Sequence, residues 1–206
     1  MTTTEILTIL QRDIHTTVFA AVDEQDPPQT CVIDLMLADE SGLYFLTAEG
    51  KSFYDRLMTR EFVAISGMKG EDMLSSVAIS VRGRMRNIGK ECLAEIFEKN
   101  PYMVKIYPTQ KSREALTVFL LDQGEGEYFD LSQLPPYRQS FNFGGVKIQE
   151  ATYRIYAEKC IGCQGCLSVY PTGCISRIVP RVIDASHCLH CGNCMNICPV
   201  NAVVKG

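Results

Sequence analysis

The chain has 206 residues, 46% of them apolar and 21% charged, the composition of a folded globular protein rather than a disordered or fibrous one. It carries 20 Lys and Arg against 24 Asp and Glu, a formal net charge of −4, with no basic run interleaved with aromatics that would read as a nucleic-acid footprint. No apolar run approaches the ~18 residues of a membrane span. The opening MTTTEILTILQRDIHTT has acids inside its apolar stretch and no basic start, so a cytoplasmic protein without membrane partners is expected.

In chain order, Ile6, Leu7, Ile9 and Leu10 fall on a helical period and predict a helix over 4–13. Apolar or alternating runs at 16–22, 30–37 and 43–48 read as strands, divided by Pro27-Pro28 and by the Asp-Glu-Ser-Gly turn at 39–42. SFYDRLMT at 52–59 reads as a short helix. Strands resume at 62–68 and 76–88, and ECLAEIFEKN at 91–100 is a helix stopped by Pro101. Late strands follow at 116–124 and 126–131. Pro135-Pro136 and Gly144-Gly145 bracket a connector, which sets two modules at 1–148 and 149–206. Many short strands with a few outlying helices predict a mainly β first module, an antiparallel barrel.

The second module is different in kind. It holds eight of the ten cysteines, all between Cys160 and Cys198, and over residues 151–206 its charges are five Lys or Arg against Glu158 and Asp184. A mild basic excess suits anionic metal clusters. Cys160-x2-Cys163-x2-Cys166 lies over Cys188-x2-Cys191-x2-Cys194 at an offset of 28 residues, and Pro171 lies over Pro199. This is an internal duplication, each half a cysteine loop followed by a short helix starting near the proline. Tight glycine-bearing loops with three thiols wrap a cubane and over-supply a zinc site, which needs four ligands in two pairs. Disulfides are the weakest reading without an export signal.

These two triplets, one ending in Cys198-Pro199, resemble the bacterial dicluster ferredoxins over nearly all of residues 150–206. The resemblance implies a small α+β domain with two 4Fe–4S clusters, the fourth cysteine of each motif crossing to the other cluster. Cys160, Cys163, Cys166 and Cys198 then hold the first. The second receives Cys188, Cys191, Cys194 and whatever stands near position 170. There the sequence has Tyr170, a poor ligand, and Cys174 four residues on. If Pro171 opens a helix, positions 170 and 174 share a face and Cys174 is the displaced ligand. A three-iron cluster on Cys188, Cys191 and Cys194 alone, or Cys174 as a small buried apolar residue, are the other two readings.

In the first module the ordered blocks L43YFLTAEGKSFYDRL57, F62VAISG67, V77AISVRGRM85 and E125GEYFDLS132 resemble the pyridoxamine 5′-phosphate oxidase-like family over about residues 4–135. The resemblance implies an FMN-binding split β-barrel with flanking helices, and a homodimer with flavin at the interface. It implies that the segment of Thr47, Ala48, Lys51 and Ser52 meets the flavin phosphate, and that Thr30, Cys31, Val32 and Ile33 lie beside the flavin ring. Read from the residues alone, Ser52 is an N-cap and Lys51 a solvated side chain; a helix start there would also attract an anion. The basic residues that hold pyridoxamine phosphate in the family's oxidases have no evident counterpart. Arg82, Arg84 and Arg86 share one strand face that reads as solvated, and His15, His187 and His190 receive no role.

Clusters pass single electrons, whereas flavin takes one or two. The fusion therefore predicts an oxidoreductase that passes electrons between clusters and FMN to reduce a small-molecule acceptor, with a redox-protein donor. A non-enzymatic electron carrier or redox sensor, its barrel serving to bind flavin and dimerise, is the alternative.

Overall fold

A computed structural model describes residues 1–23, 27–148 and 152–206. The chain divides into two compact units. One comprises Met1–Lys69, Ala78–Glu127 and Phe141–Lys147; the other gathers Gly70–Val77 and Tyr128–Ser140 with Ile148–Gly206. The module boundary expected at 148/149 abuts residues 149–151, which lie outside the described residues.

The chain opens with helix α1 (Thr3–Thr8), capped by a Thr2–Glu5 capping box, and continues into a π-helical turn at Ile9–Ile14. The predicted helix is thus wider in its last turn, where the His15 N–H reaches back to the Leu10 carbonyl at 2.9 Å. Strands β1 (Thr16–Ala21), β2 (Gln29–Asp39) and β3 (Gly42–Ala48) lead to helix α2 (Ser52–Arg60) and strand β4 (Phe62–Lys69). Then come β5 (Val77–Gly89), helices α3 (Leu93–Lys99), α4 (Met103–Ile106) and α5 (Gln110–Arg113), and β6 (Leu116–Asp130) and β7 (Tyr137–Phe143). The sheet order is β3-β2-β1-β4-β5-β6-β7, and a further antiparallel pairing of β3 with β6 closes six strands into a barrel.

Burial explains the strand patterns. Phe19, Phe45 and Phe119 are fully buried inside the barrel, with Phe45 ring-to-ring 4.8 Å from Phe19 and stacked 5.6 Å from Phe119. On the other side of β2, β3 and β6, Met36, Leu46, Val118 and Leu120 pack with Ile96, Phe97 and Met103 of α3 and α4. β3 is therefore buried on both faces and reads as an unbroken apolar run. β5 is covered on one face and alternates, turning Arg82, Arg84 and Arg86 to solvent. Arg82 meets Glu125 and Arg86 meets Asp122, both at 2.8 Å.

Two expectations are corrected here. The strands set at 116–124 and 126–131 are one strand, β6. Gly124 and Gly126 do not break it; a Cβ on Gly126 would stand 2.4 Å from the Phe141 ring, so these glycines admit the rings of β7. The connector drawn across 134–145 contains β7 itself.

In the cysteine-rich unit, β8 (Tyr153–Ile155) pairs antiparallel with β9 (Val203–Lys205), and short helices α6 (Gly165–Val169) and α7 (Asn193–Asn196) lie between them. The duplication is visible in the backbone. Ile155 pairs with Val203, and their counterparts 28 residues away, Ile183 and Ile175, pair with each other. Each helix begins one residue before the third cysteine of its motif and ends before the proline, not after it. No helix opens at Pro171; Tyr170 is extended.

Candidate cluster and cofactor sites

Both cysteine loops turn through the left-handed region at matched positions. Gly162 and Gln164 both have φ near +69°, and their counterparts His190 and Gly192 have +55° and +79°; Gly173 at +75° answers Asn201 at +50°. In each pair one member is glycine and the other pays a small steric cost, so a shared loop shape holds them rather than local preference.

The loops border two cavities that open in part to solvent. Cys160, Cys163, Cys166 and Cys198 line the first, and Cys174, Cys188, Cys191 and Cys194 line the second. Tyr170, Pro171 and Thr172 also border the second. Cys174 reaches that cavity by the left-handed turn at Gly173 instead of a helical face. Its thiol sits beside that of Cys188, and Cys194 belongs to the same group: burial first, then the neighbouring Cys188 sulfur, pushes Cys194 up to about 11 and also raises Cys174. Cys166 is raised by burial, against which the Arg181 guanidinium acts. Cys198 is half-buried, and the backbone N–H groups of Ala202 and its neighbours outweigh that partial desolvation and lower its thiol.

The donor set fits iron–sulfur clusters. Each void is walled by four thiols and otherwise by mainly apolar groups. The His190 N–H points at the Cys188 sulfur at 3.4 Å, and the Ala202 N–H at the Cys198 sulfur at 3.3 Å, as N–H groups do around cluster thiolates. Among the described residues no three His, Cys, Asp or Glu side chains form a single-ion site.

Two histidines that the sequence left without a role belong to the second motif's surroundings, His187 just before Cys188 and His190 between Cys188 and Cys191. His187 Nδ1 donates to the Pro136 carbonyl at 3.0 Å, and Arg138 donates to His190 Nδ1 at 3.0 Å, tying the 136–138 stretch to the Cys188 loop.

In the barrel, Thr30, Cys31, Val32 and Ile33 lie on β2 opposite Ala20, Phe19, Val18 and Thr17 of β1. Val32 is 65% exposed beside Val18 at 46%. Near the end of β3, Thr47 is buried, its hydroxyl without a hydrogen-bond partner among the described residues; Ala48, the last residue of the strand, is half-buried. Lys51 and Ser52 are exposed at the start of α2, where no side chain caps the helix; Ser52 is its first residue, not its N-cap. One residue was missed. Arg56, one turn further along α2, is 6% exposed, donates to Gln29 Oε1 at 2.9 Å, and keeps an unpartnered Nε. Arg56 and Lys51 both act on Cys31, whose thiol burial raises. No motif in the sequence marks Arg56. These groups, two cations, an uncapped helix start and orphaned buried polar atoms, fit a phosphate-bearing cofactor.

Comparison with known proteins agrees on both halves. Residues 157–169 and 181–204 each match a model described as a 4Fe-4S binding domain. The barrel resembles a NimC/NimA family protein from Clostridium acetobutylicum at 18% identity, covering 68% of this chain and 92% of that one, with a TM-score of 0.57. It also resembles a heme binding protein from Mycobacterium smegmatis (13% identity, 68% and 57% covered, TM-score 0.53). PhzG from Burkholderia lata 383, solved with tetrahydrophenazine-1-carboxylic acid, is similar at 12% identity (65% and 79% covered, TM-score 0.52). No curated protein matches the chain. At such identities the likeness is one of fold. The first unit thus shares the barrel fold of these proteins, and the second carries two stretches that match 4Fe-4S binding domains. Among the described residues no helix is long and apolar enough to cross a membrane.

Proposed function

We propose that this protein is a flavin- and iron–sulfur-dependent oxidoreductase, which passes electrons between two 4Fe–4S clusters and FMN to reduce a small-molecule acceptor. The observation that carries the reading is the pair of four-cysteine cavities in one chain with a split barrel. Cys160, Cys163, Cys166 and Cys198 would hold one cluster, and Cys174, Cys188, Cys191 and Cys194 the other. In the barrel, Arg56, Lys51, Ser52 and the Thr47 hydroxyl would hold the FMN phosphate, with Thr30, Cys31, Val32 and Ile33 beside the ring. FMN, when bound, joins single-electron carriers to a two-electron substrate. Paired exposure of Val18 and Val32 on β1 and β2 supports a homodimer that covers this face. A low-potential redox protein is the expected donor.

The test is turnover. Anaerobic protein reduced with dithionite is offered a panel of small acceptors, including nitroaromatics, quinones and flavins, and reoxidation is followed by absorbance. Catalytic reoxidation by any of them supports the enzyme. Reoxidation limited to the stored electrons, with every acceptor, would make the protein a carrier or sensor instead.

A further inference from the structure

The two cavities are related by the duplication almost residue for residue. Ile155 answers Ile183, Ile161 answers Leu189, and Val203 answers Ile175, each lining its own cavity. Against that background one exchange changes charge. The place held by Arg181 in the first cavity is held by Tyr153 in the second.

Arg181 is 4% exposed. Its Nη1 donates to the Ser176 carbonyl at 3.0 Å, and its Nε has no hydrogen-bond partner among the described residues. No carboxylate among the described residues pairs with it. A guanidinium is always charged, and burying one without a counter-charge is costly. The groups beside it are the four cysteines of the first cavity, which would be thiolates when they hold a cluster. The second cavity has no cation in its lining.

We infer that Arg181 sets the order of reduction, making the cluster of Cys160, Cys163, Cys166 and Cys198 the higher-potential centre and leaving the Tyr153 side lower. The physics is direct. One-electron reduction adds a negative charge to the cluster, and a buried cation favours the more negative form, as does an N–H aimed at a sulfur. The first electron from any one-electron donor therefore rests at the first cluster, and the second cluster fills only at lower potential. This inference rests on the reading that both cavities hold four-iron clusters.

The experiment is a mediated redox titration followed by electron paramagnetic resonance, on the full chain, with iron and sulfide counted in every sample. Wild type should show two resolved steps, with the spectrum of an isolated cluster between them. R181Q, which keeps a donor to Ser176 without the charge, should move the upper step down and leave the lower one in place. R181K should restore most of the shift. Coincident steps in wild type, or an R181Q variant that moves the lower step or neither, overturn the assignment. If R181Q fails to assemble, the wild-type steps and an R181K step close to wild type still decide it. A count below eight irons in wild type overturns instead the cluster reading beneath it.

Discussion

Cys174 and Cys188 share one cavity, near enough that Cys188 acts on the Cys174 thiol. The repeat places Tyr170, not Cys174, opposite Cys198, yet the left-handed turn at Gly173 brings the later cysteine to the second void. Replacing Cys174 by serine should remove the second cluster or leave it with three irons, lowering the count per chain by one to four. Y170C in the C174S background should restore it. Iron and sulfide analysis with electron paramagnetic resonance reads the outcome; an unchanged eight-iron C174S protein would show that the ligand lies elsewhere.

Arg56 should matter more to flavin than Lys51. Arg56 is buried and pre-set by Gln29, whereas Lys51 is exposed. A charged hydrogen bond is worth about 1.5–3 kcal/mol, so R56M should weaken FMN binding by about tenfold or more. K51M should cost under about 1 kcal/mol, and that loss should shrink in high salt. Fluorescence titration of apoprotein with FMN measures both. Equal effects would place the phosphate away from α2.

Phe45 touches Phe19, Phe53 and Phe119 at the centre of the barrel. F45A should destabilise the barrel by about 3–5 kcal/mol. G126V should also destabilise it, because its side chain would meet the Phe141 ring and the Ser80 carbonyl, each 2.4 Å from the ideal Cβ. Denaturant titration monitored by circular dichroism checks both; a neutral G126V would mean that β6 and β7 separate easily.

Tyr102 supplies a pH-dependent prediction. Burial, then its hydrogen bond to Asp34 at 2.8 Å, raises the phenol above its ordinary range. The folded state thus holds this proton more tightly than the unfolded chain. The resulting stability is fully present below about pH 10 and is lost as pH rises through the folded value. Wild type should exceed Y102F by about 1 kcal/mol at neutral pH, and the gap should narrow above pH 10. A gap that widens there would contradict the hydrogen-bond assignment.

The barrel was legible because strands buried on both faces, such as β3, and strands buried on one, such as β5, leave distinct hydropathy patterns. β7 was not, since its Phe141 and Phe143 sit between turn-like prolines and glycines, and the glycines facing it in β6 looked like breaks. In the cysteine unit the triplets and their offset were plain. The route of Cys174 was not, because a left-handed residue at Gly173 reaches the cavity as well as a helical face would, and spacing does not separate the two. Arg56 and Arg181 were hidden for a shared reason: burial of a lone arginine depends on which neighbours surround it, and no motif marks it.

The central claim is that two clusters and a flavin reside in one chain. Anaerobically purified protein should show about eight irons, eight sulfides and one FMN per chain, with a broad cluster absorbance beneath flavin bands. Zinc in place of iron, or clusters without flavin even after incubation with FMN, would contradict it.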